Sequence, residues 1–199
     1  MNPPMDSYKL ALKLFIEDDP GIPVERFVPV FHRWIQSAAL ADHQLIDVAD
    51  YKHVHEGPGV VLVSHEANIH ADLGGGRLGL LYFRKQPLDG PFRDRLEAVI
   101  TYTLRAAELL QKDPDLGPQI RIRTDALLLR IHDRLHAPNA PETFEQVRPD
   151  LSRFLTALYG AAPELTHRPG IQDLFEVGIR FPQPVPIPAL MQRLAEAPA

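Results

Sequence analysis

The run His65-Glu66-Ala67-Asn68-Ile69-His70-Ala71-Asp72 places two imidazoles and two carboxylates within eight residues. Imidazole nitrogens and carboxylate oxygens are donors that zinc, iron, manganese and nickel accept. Glu66, His70 and Asp72 are therefore the metal candidates, with a transition metal as the cofactor they would hold. Imidazole also titrates near neutral pH, so His65 and His70, together with Glu66, are the candidates for proton transfer in a catalytic step. Backbone geometry limits these roles. In an extended chain Ser64, Glu66, Asn68 and His70 share one face, and His65, Ala67 and Ile69 share the other. The zinc-hydrolase signature needs histidines one helical turn apart with glutamate after the first. Here the histidines are five apart in a strand-like segment, and that match is rejected. The plainer reading is a polar strand edge or hairpin.

A second set is cationic. Arg121 and Arg123 alternate with Ile120 and Ile122, and Arg130 and His132 share a parity further on. If the two stretches pair as a hairpin, the four side chains converge, with Arg84 and Lys85 from a neighbouring strand. Guanidinium groups grip carboxylate or phosphate through two parallel hydrogen bonds. A small anionic ligand held by Asn68, Arg121, Arg123, Arg130 and His132 is the chemistry this arrangement suggests. A solvated sheet face balanced by Asp125, Asp133 and Glu176 is the plainer account. Gly74-Gly75-Gly76-Arg77 can turn backbone N–H groups toward an anion. The dinucleotide fingerprint needs a helix after its glycines. A strand is expected here, so a flexible hairpin loop is favoured. His53 and His55 sit two apart in a loop; His32, His43, His136 and His167 have no compelling local partner.

Strands are expected over residues 8–16, 45–48, 59–64, 78–83, 119–123, 126–132, 164–167 and 173–181. The run Val60-Val61-Leu62-Val63 is apolar on both faces, which places it centrally in a sheet. An acidic stop at Glu17-Asp18-Asp19 and a Pro20-Gly21 turn end the first strand. Phe27, Phe31, Trp34, Ile35 and Ala38 recur at helical spacing, with Pro29 near the helix start. Phe92, Leu96, Val99, Ile100, Thr103, Ala106, Ala107 and Leu110 make one face of a helix over 91–111. A third helix spans 141–159 with Gly160 as its C-terminal cap. With the short stretch 45–48 left aside, the order is β-α-β-β-α-β followed by β-α-β-β. The fold class is α+β: a ferredoxin-like unit extended by a half-unit, with a largely antiparallel sheet and helices on one face. The other face needs its own cover, from the appended half or a second subunit. Residues 1–181 form one domain, with an internal division near residue 124. Residues 182–199 form a proline-rich tail with a short helix over 189–196. Packing on its own domain, disorder and docking to a protein partner are open for this tail.

The 199 residues include no cysteine, which excludes disulfides, thiolate nucleophiles and zinc-thiolate sites. Hydrophobic residues make up 45% and charged residues 24%, the composition of an ordinary globular chain. The net charge of −5 argues against nucleic acid as the general partner. The start carries no leader pattern, and no apolar run exceeds about five residues, too short for a bilayer. A cytoplasmic protein without membrane association is expected. No motif selects one activity, and fold analogy alone cannot. The favoured reading is a non-enzymatic interaction or oligomeric scaffold protein that self-associates through the open sheet face. The alternative is a small-ligand or metal-binding protein, or an enzyme, built on residues 65–72 and the arginine patch.

Overall fold

The computed structural model describes residues 7, 9–17, 21–54, 57–170 and 173–196. Tyr8, Asp18 and Asp19 of the acidic stop, Pro20 of the turn, His55 and residues 197–199 lie outside them. Eight strands form one antiparallel sheet: β1 Leu10–Ile16, β2 Leu45–Asp50, β3 Val60–Ser64, β4 Ala67–Asp72, β5 Gly79–Arg84, β6 Ile122–Ile131, β7 Glu164–His167 and β8 Phe175–Arg180. Their order across the sheet is β2-β3-β4-β5-β1-β6-β8-β7. Among the described residues four α-helices accompany them: α1 Phe27–Gln36, α2 Phe92–Gln111, α3 Pro141–Tyr159 and, after the last strand, α4 Ile187–Glu196. This is a mixed α+β fold, an antiparallel sheet flanked by helices, and it roughly matches the expected order.

The layering follows from strand alternation. Leu10, Leu12, Leu14 and Ile16 of β1 face the helices, as do Leu62, Ile69, Leu80, Tyr82, Leu127, Leu129 and Val177. They share one core cluster with Phe31, Leu96, Val99, Leu151 and Leu155 of the helices. Ala11, Val61 and Leu81 are also buried, at 0%, 3% and 2% exposure, yet lie outside that cluster on the opposite face. The half-unit with β6, β7 and β8 continues the same sheet instead of folding over this second face.

α1 starts two residues before Pro29, which thus falls in the first turn, where its missing N–H costs nothing. Gly160 closes α3 in the left-handed region at φ 76°. Ile187 and Leu190 of α4 enter the core, and Arg193 donates to the Leu158 carbonyl at 2.8 Å. Among the described residues no helix is long and apolar enough to cross a membrane.

Two local expectations are corrected. Residues 119–132 do not form a hairpin; β6 runs unbroken from Ile122 to Ile131. Its pairing with β1 jumps from Leu14↔Leu127 to Phe15↔Arg123, so a bulge absorbs the residues expected to turn. The polar groups there are satisfied without a reversal. The Thr124 hydroxyl donates to the Val185 carbonyl at 2.7 Å and accepts the Val185 N–H at 3.1 Å. Arg123 donates to both carboxylate oxygens of Asp125. Of the strand edge or hairpin expected at residues 65–72, the hairpin stands and the edge is corrected: β4 makes a hairpin with β3 and is interior, paired on its other side with β5. The Ser64 hydroxyl fixes the β3–β4 turn by donating to the Ala67 carbonyl at 2.6 Å and accepting the Ala67 N–H at 3.0 Å.

Candidate functional site on the helix-free face

Register determines what meets on the face away from the helices. His70 pairs with Leu81, Leu81 with Lys13, and Lys13 with Leu128, a row that crosses β4, β5, β1 and β6. The adjoining row runs Asn68, Phe83, Ala11, Arg130 and Glu176. Cross-strand neighbours share a face. Residues scattered over more than half the chain are thereby brought together.

Lys13 is fully buried at the sheet centre. Its Nζ donates to Asp72 Oδ2 at 2.6 Å, to the Gly74 carbonyl at 3.0 Å and to the Arg77 carbonyl at 2.6 Å. An ammonium has three donors, and each has an acceptor here. Burial pushes the ammonium below its ordinary pKa, and Asp72 opposes that shift. The group pins the glycine segment onto the sheet. Gly79 makes room: a Cβ there would stand 2.5 Å from Lys13 Cε and 2.7 Å from the Leu14 carbonyl oxygen.

Beside this latch stands a different arrangement. His132 follows β6, with its N–H donating to the Lys9 carbonyl at 2.8 Å. Its ring stacks on Phe83 at 4.2 Å between centroids. His70 and His132 line one cavity of about 840 Å³, together with Leu81 and Arg130 of the floor. The Nε2 atoms of both rings are sealed from solvent and have no hydrogen-bond partner, as is Asn68 Oδ1 nearby. Burial brings the His70 pKa down to about 4 against the pull of Asp72, and Arg130 and Lys85 assist. Burial, then Arg130 and His70, brings His132 to about 4 as well. Both rings are neutral at pH 7. Arg130 forms an ion pair with its cross-strand partner Glu176. Around the rim Tyr51, Val54 and Leu73 remain 43%, 45% and 40% exposed. A second hollow of about 460 Å³ adjoins it and shares Asp173 and Glu176.

The sequence candidates divide. His70, Asp72, Arg130 and His132 line the same cavity, and Asn68 lies on the same face outside its lining. Glu66 sits in the β3–β4 turn, where its carboxylate accepts the Gln44 N–H at 2.8 Å. Burial raises its pKa, but that N–H, its own N–H, His43 and His65 hold it below the ordinary value. His65 is exposed in the same turn. Arg121 is exposed and donates to the Pro118 and Ile120 carbonyls. Arg123 is closed on Asp125 at the other end of β6 from Arg130. Neither Arg121 nor Arg123 lines the cavity. The extended-strand reading of Asn68, His70 and Asp72 describes their shared face. Arginine convergence depended on the hairpin that β6 replaces. Among the described residues, no group of three or more histidine, aspartate or glutamate side chains could hold a metal ion.

Sequence reading passed over Lys13, Phe83 and the rim residues Tyr51 and Leu73. Lys13 carried a signal. It is the one cation in the apolar run Leu10-Ala11-Leu12-Lys13-Leu14-Phe15-Ile16, and a lysine buried in a strand needs acceptors. Phe83 and the rim residues carried none, because apolar side chains there look like core. His43, on the helix side, also gains a partner: its Nε2 lies 2.9 Å from the Tyr82 hydroxyl, edge-on to Tyr82 and Tyr102.

No protein-family model, curated protein sequence or solved structure matches the chain.

Proposed function

We propose that this chain is a binding protein that receives a small molecule in the cavity on the helix-free face of its sheet. The observation that carries this reading is the cavity of about 840 Å³ that brings His70, Asp72, Arg130 and His132 together beneath the exposed side chains Tyr51, Val54 and Leu73. The cavity volume falls within the usual range for small-molecule sites. The shifted pKa values favour binding over proton transfer. A catalytic base works best with a pKa near the working pH, and these rings lie far below neutrality. A cytoplasmic setting fits this reading.

The test is a ligand-observed NMR screen of a mixed fragment library, run beside native mass spectrometry for a co-purifying molecule. Hits that compete with one another and are lost in His132→Phe support the reading. A screen without hits, together with a bare native mass, refutes it.

The rim favours a second reading, self-association through the same face. Tyr51, Val54 and Leu73 are exposed around the cavity mouth, and contiguous apolar surface marks interaction sites. Light scattering across a concentration series tests it. A dimer that dissociates on Tyr51→Ser supports it, and a monomer at every concentration removes it.

A further inference from the structure

We infer that the smaller hollow, next to the cavity above, binds a doubly charged oxyanion, a phosphate monoester or a dicarboxylate, through Arg77, Arg168 and Arg180. This second site goes beyond the small-molecule reading of the larger cavity and does not depend on it. Strand register builds the hollow. The central row of the helix-free face continues from Lys13 and Leu128 to Gly178 of β8 and Thr166 of β7. Gly178 brings no side chain, and a Cβ there would stand 2.5 Å from Thr166 Oγ1. Bare backbone therefore floors a depression of about 460 Å³ between Leu128 and Thr166. Three arginines line it from three separate segments. Arg180 stands on β8 two residues beyond Gly178, on the same face. Arg168 follows β7, and its carbonyl accepts from Asn139 Nδ2 at 3.1 Å. Arg77 follows the three glycines; its carbonyl accepts from Lys13 at 2.6 Å, and its guanidinium lies 4.0 Å from the Phe15 ring centroid.

Charge sets this hollow apart. Arg168 and Arg180 are exposed and Arg77 is half-buried, so none is sealed from a solute. Among the described residues no carboxylate closes an ion pair on any of the three. Glu176 is paired with Arg130. Asp125 feels Arg180 but is held first by Arg123, through two hydrogen bonds. Glu164 stands opposite Arg180 in register and makes no salt bridge with it. Asp173 is the only unpaired carboxylate that lines the hollow among the described residues. Three guanidiniums against one carboxylate leave two positive charges uncompensated. The whole chain carries 26 acids against 21 bases, so this local excess runs against the overall charge. Like charges gathered in one place repel. A dianion cancels the excess, and the guanidinium fork matches the oxygens of carboxylate and phosphate. Ala126, Leu128 and Leu174 beside the arginines give a small organic body apolar contact. The larger cavity has no such excess, because Arg130 is closed on Glu176 and Lys52 lies 3.8 Å from Asp50.

Phenyl phosphate, phthalate, benzoate and benzamidine test this on the whole chain, at low and constant ionic strength where exposed charges are least screened. Side-chain Nε–Hε signals of arginine-labelled protein report the site. Phenyl phosphate or phthalate should shift the signals of Arg77, Arg168 and Arg180 and saturate, with benzoate weaker and benzamidine not bound. The tighter dianion names the source, phosphate monoester or dicarboxylate. Arg168→Gln and Arg180→Gln should each weaken that dianion roughly fivefold, the upper end for a solvent-exposed ion pair. Both are surface changes, and an unchanged urea midpoint checks that the variants fold. Arg148→Gln removes the same charge from α3, outside the hollow, and should change the affinity by less than about twofold. The inference is overturned if neither dianion binds, if benzamidine binds as tightly, or if Arg148→Gln weakens binding as much as Arg180→Gln. A dianion lost in His132→Phe but kept in Arg180→Gln sits in the larger cavity; the arginine site then falls and the small-molecule reading stands. A dianion lost only with the arginines, beside an empty fragment screen, supports the arginine site and removes the small-molecule reading.

Discussion

Two polar groups lie side by side on the helix-free face, and they are finished differently. Around Lys13 every donor is used, and the acceptors come from Asp72 and the glycine segment. Around His70 and His132 the buried ring nitrogens are left open. The difference is one of charge. An ammonium taken out of water without partners costs far more than the fold can supply, so it is buried paired or not at all. A neutral imidazole with one unfilled lone pair costs only a few kcal/mol at most, which a stable domain can carry. The first cluster is therefore closed by its own partners, while the second leaves two sealed ring nitrogens unpaired beside the cavity. An unpartnered ring nitrogen alone does not make a site: His43, packed on the helix side, meets Tyr82 through Nε2 and keeps its own Nδ1 buried without a partner.

The comparison breaks most directly at Lys13. Lys13→Met should leave the Asp72 carboxylate buried without its cation and cost roughly 3–5 kcal/mol, read as a lower urea midpoint. Lys13→Met combined with Asp72→Leu should recover a large part of that loss. A single variant as stable as the parent would mean that the latch contributes nothing.

Acid should act on the other cluster. In the unfolded chain an imidazole gains its proton near pH 6.5, whereas His70 and His132 do so at about 4 when folded. Between those values the unfolded state binds more protons, so stability rises with pH and is lost as pH falls from about 6.5 to about 4. The loss is on the order of 3 kcal/mol per ring. His43 and His167, also lowered chiefly by burial, act in the same sense. Urea unfolding across this range measures the slope, and His132→Phe should flatten it. An unchanged slope in that variant would show that the ring is not buried as described.

Gly79→Ala should cost about 1–3 kcal/mol by overpacking against Lys13 and the Leu14 carbonyl, seen as a lower thermal midpoint. It should fall less in Lys13→Met, where the clashing chain is more flexible. The smallest effect belongs to the rim. Tyr51→Ser and Leu73→Ser should change stability by no more than about 0.5 kcal/mol, yet weaken fragment binding in the NMR screen. Equal binding in both variants would move the site away from the rim.

Strand alternation was legible locally. The parity of Asn68, His70 and Asp72 described their common face, and the alternation in residues 120–123 suggested a strand. The hairpin was not legible, because Thr124 and Asp125 are turn formers whose polar groups find Val185 and Arg123 instead. The arginine patch inherited that error.

By itself the sequence determined the layered α+β class, the helix faces and the parity of residues 67–72, since each depends on neighbours within a few positions. Only the tertiary structure decided that Lys13 reaches Asp72 across 59 positions, and that His132 shares a cavity with His70. Strand order and register fix those meetings, and they are set by how the whole core packs. No local periodicity encodes which strands become neighbours.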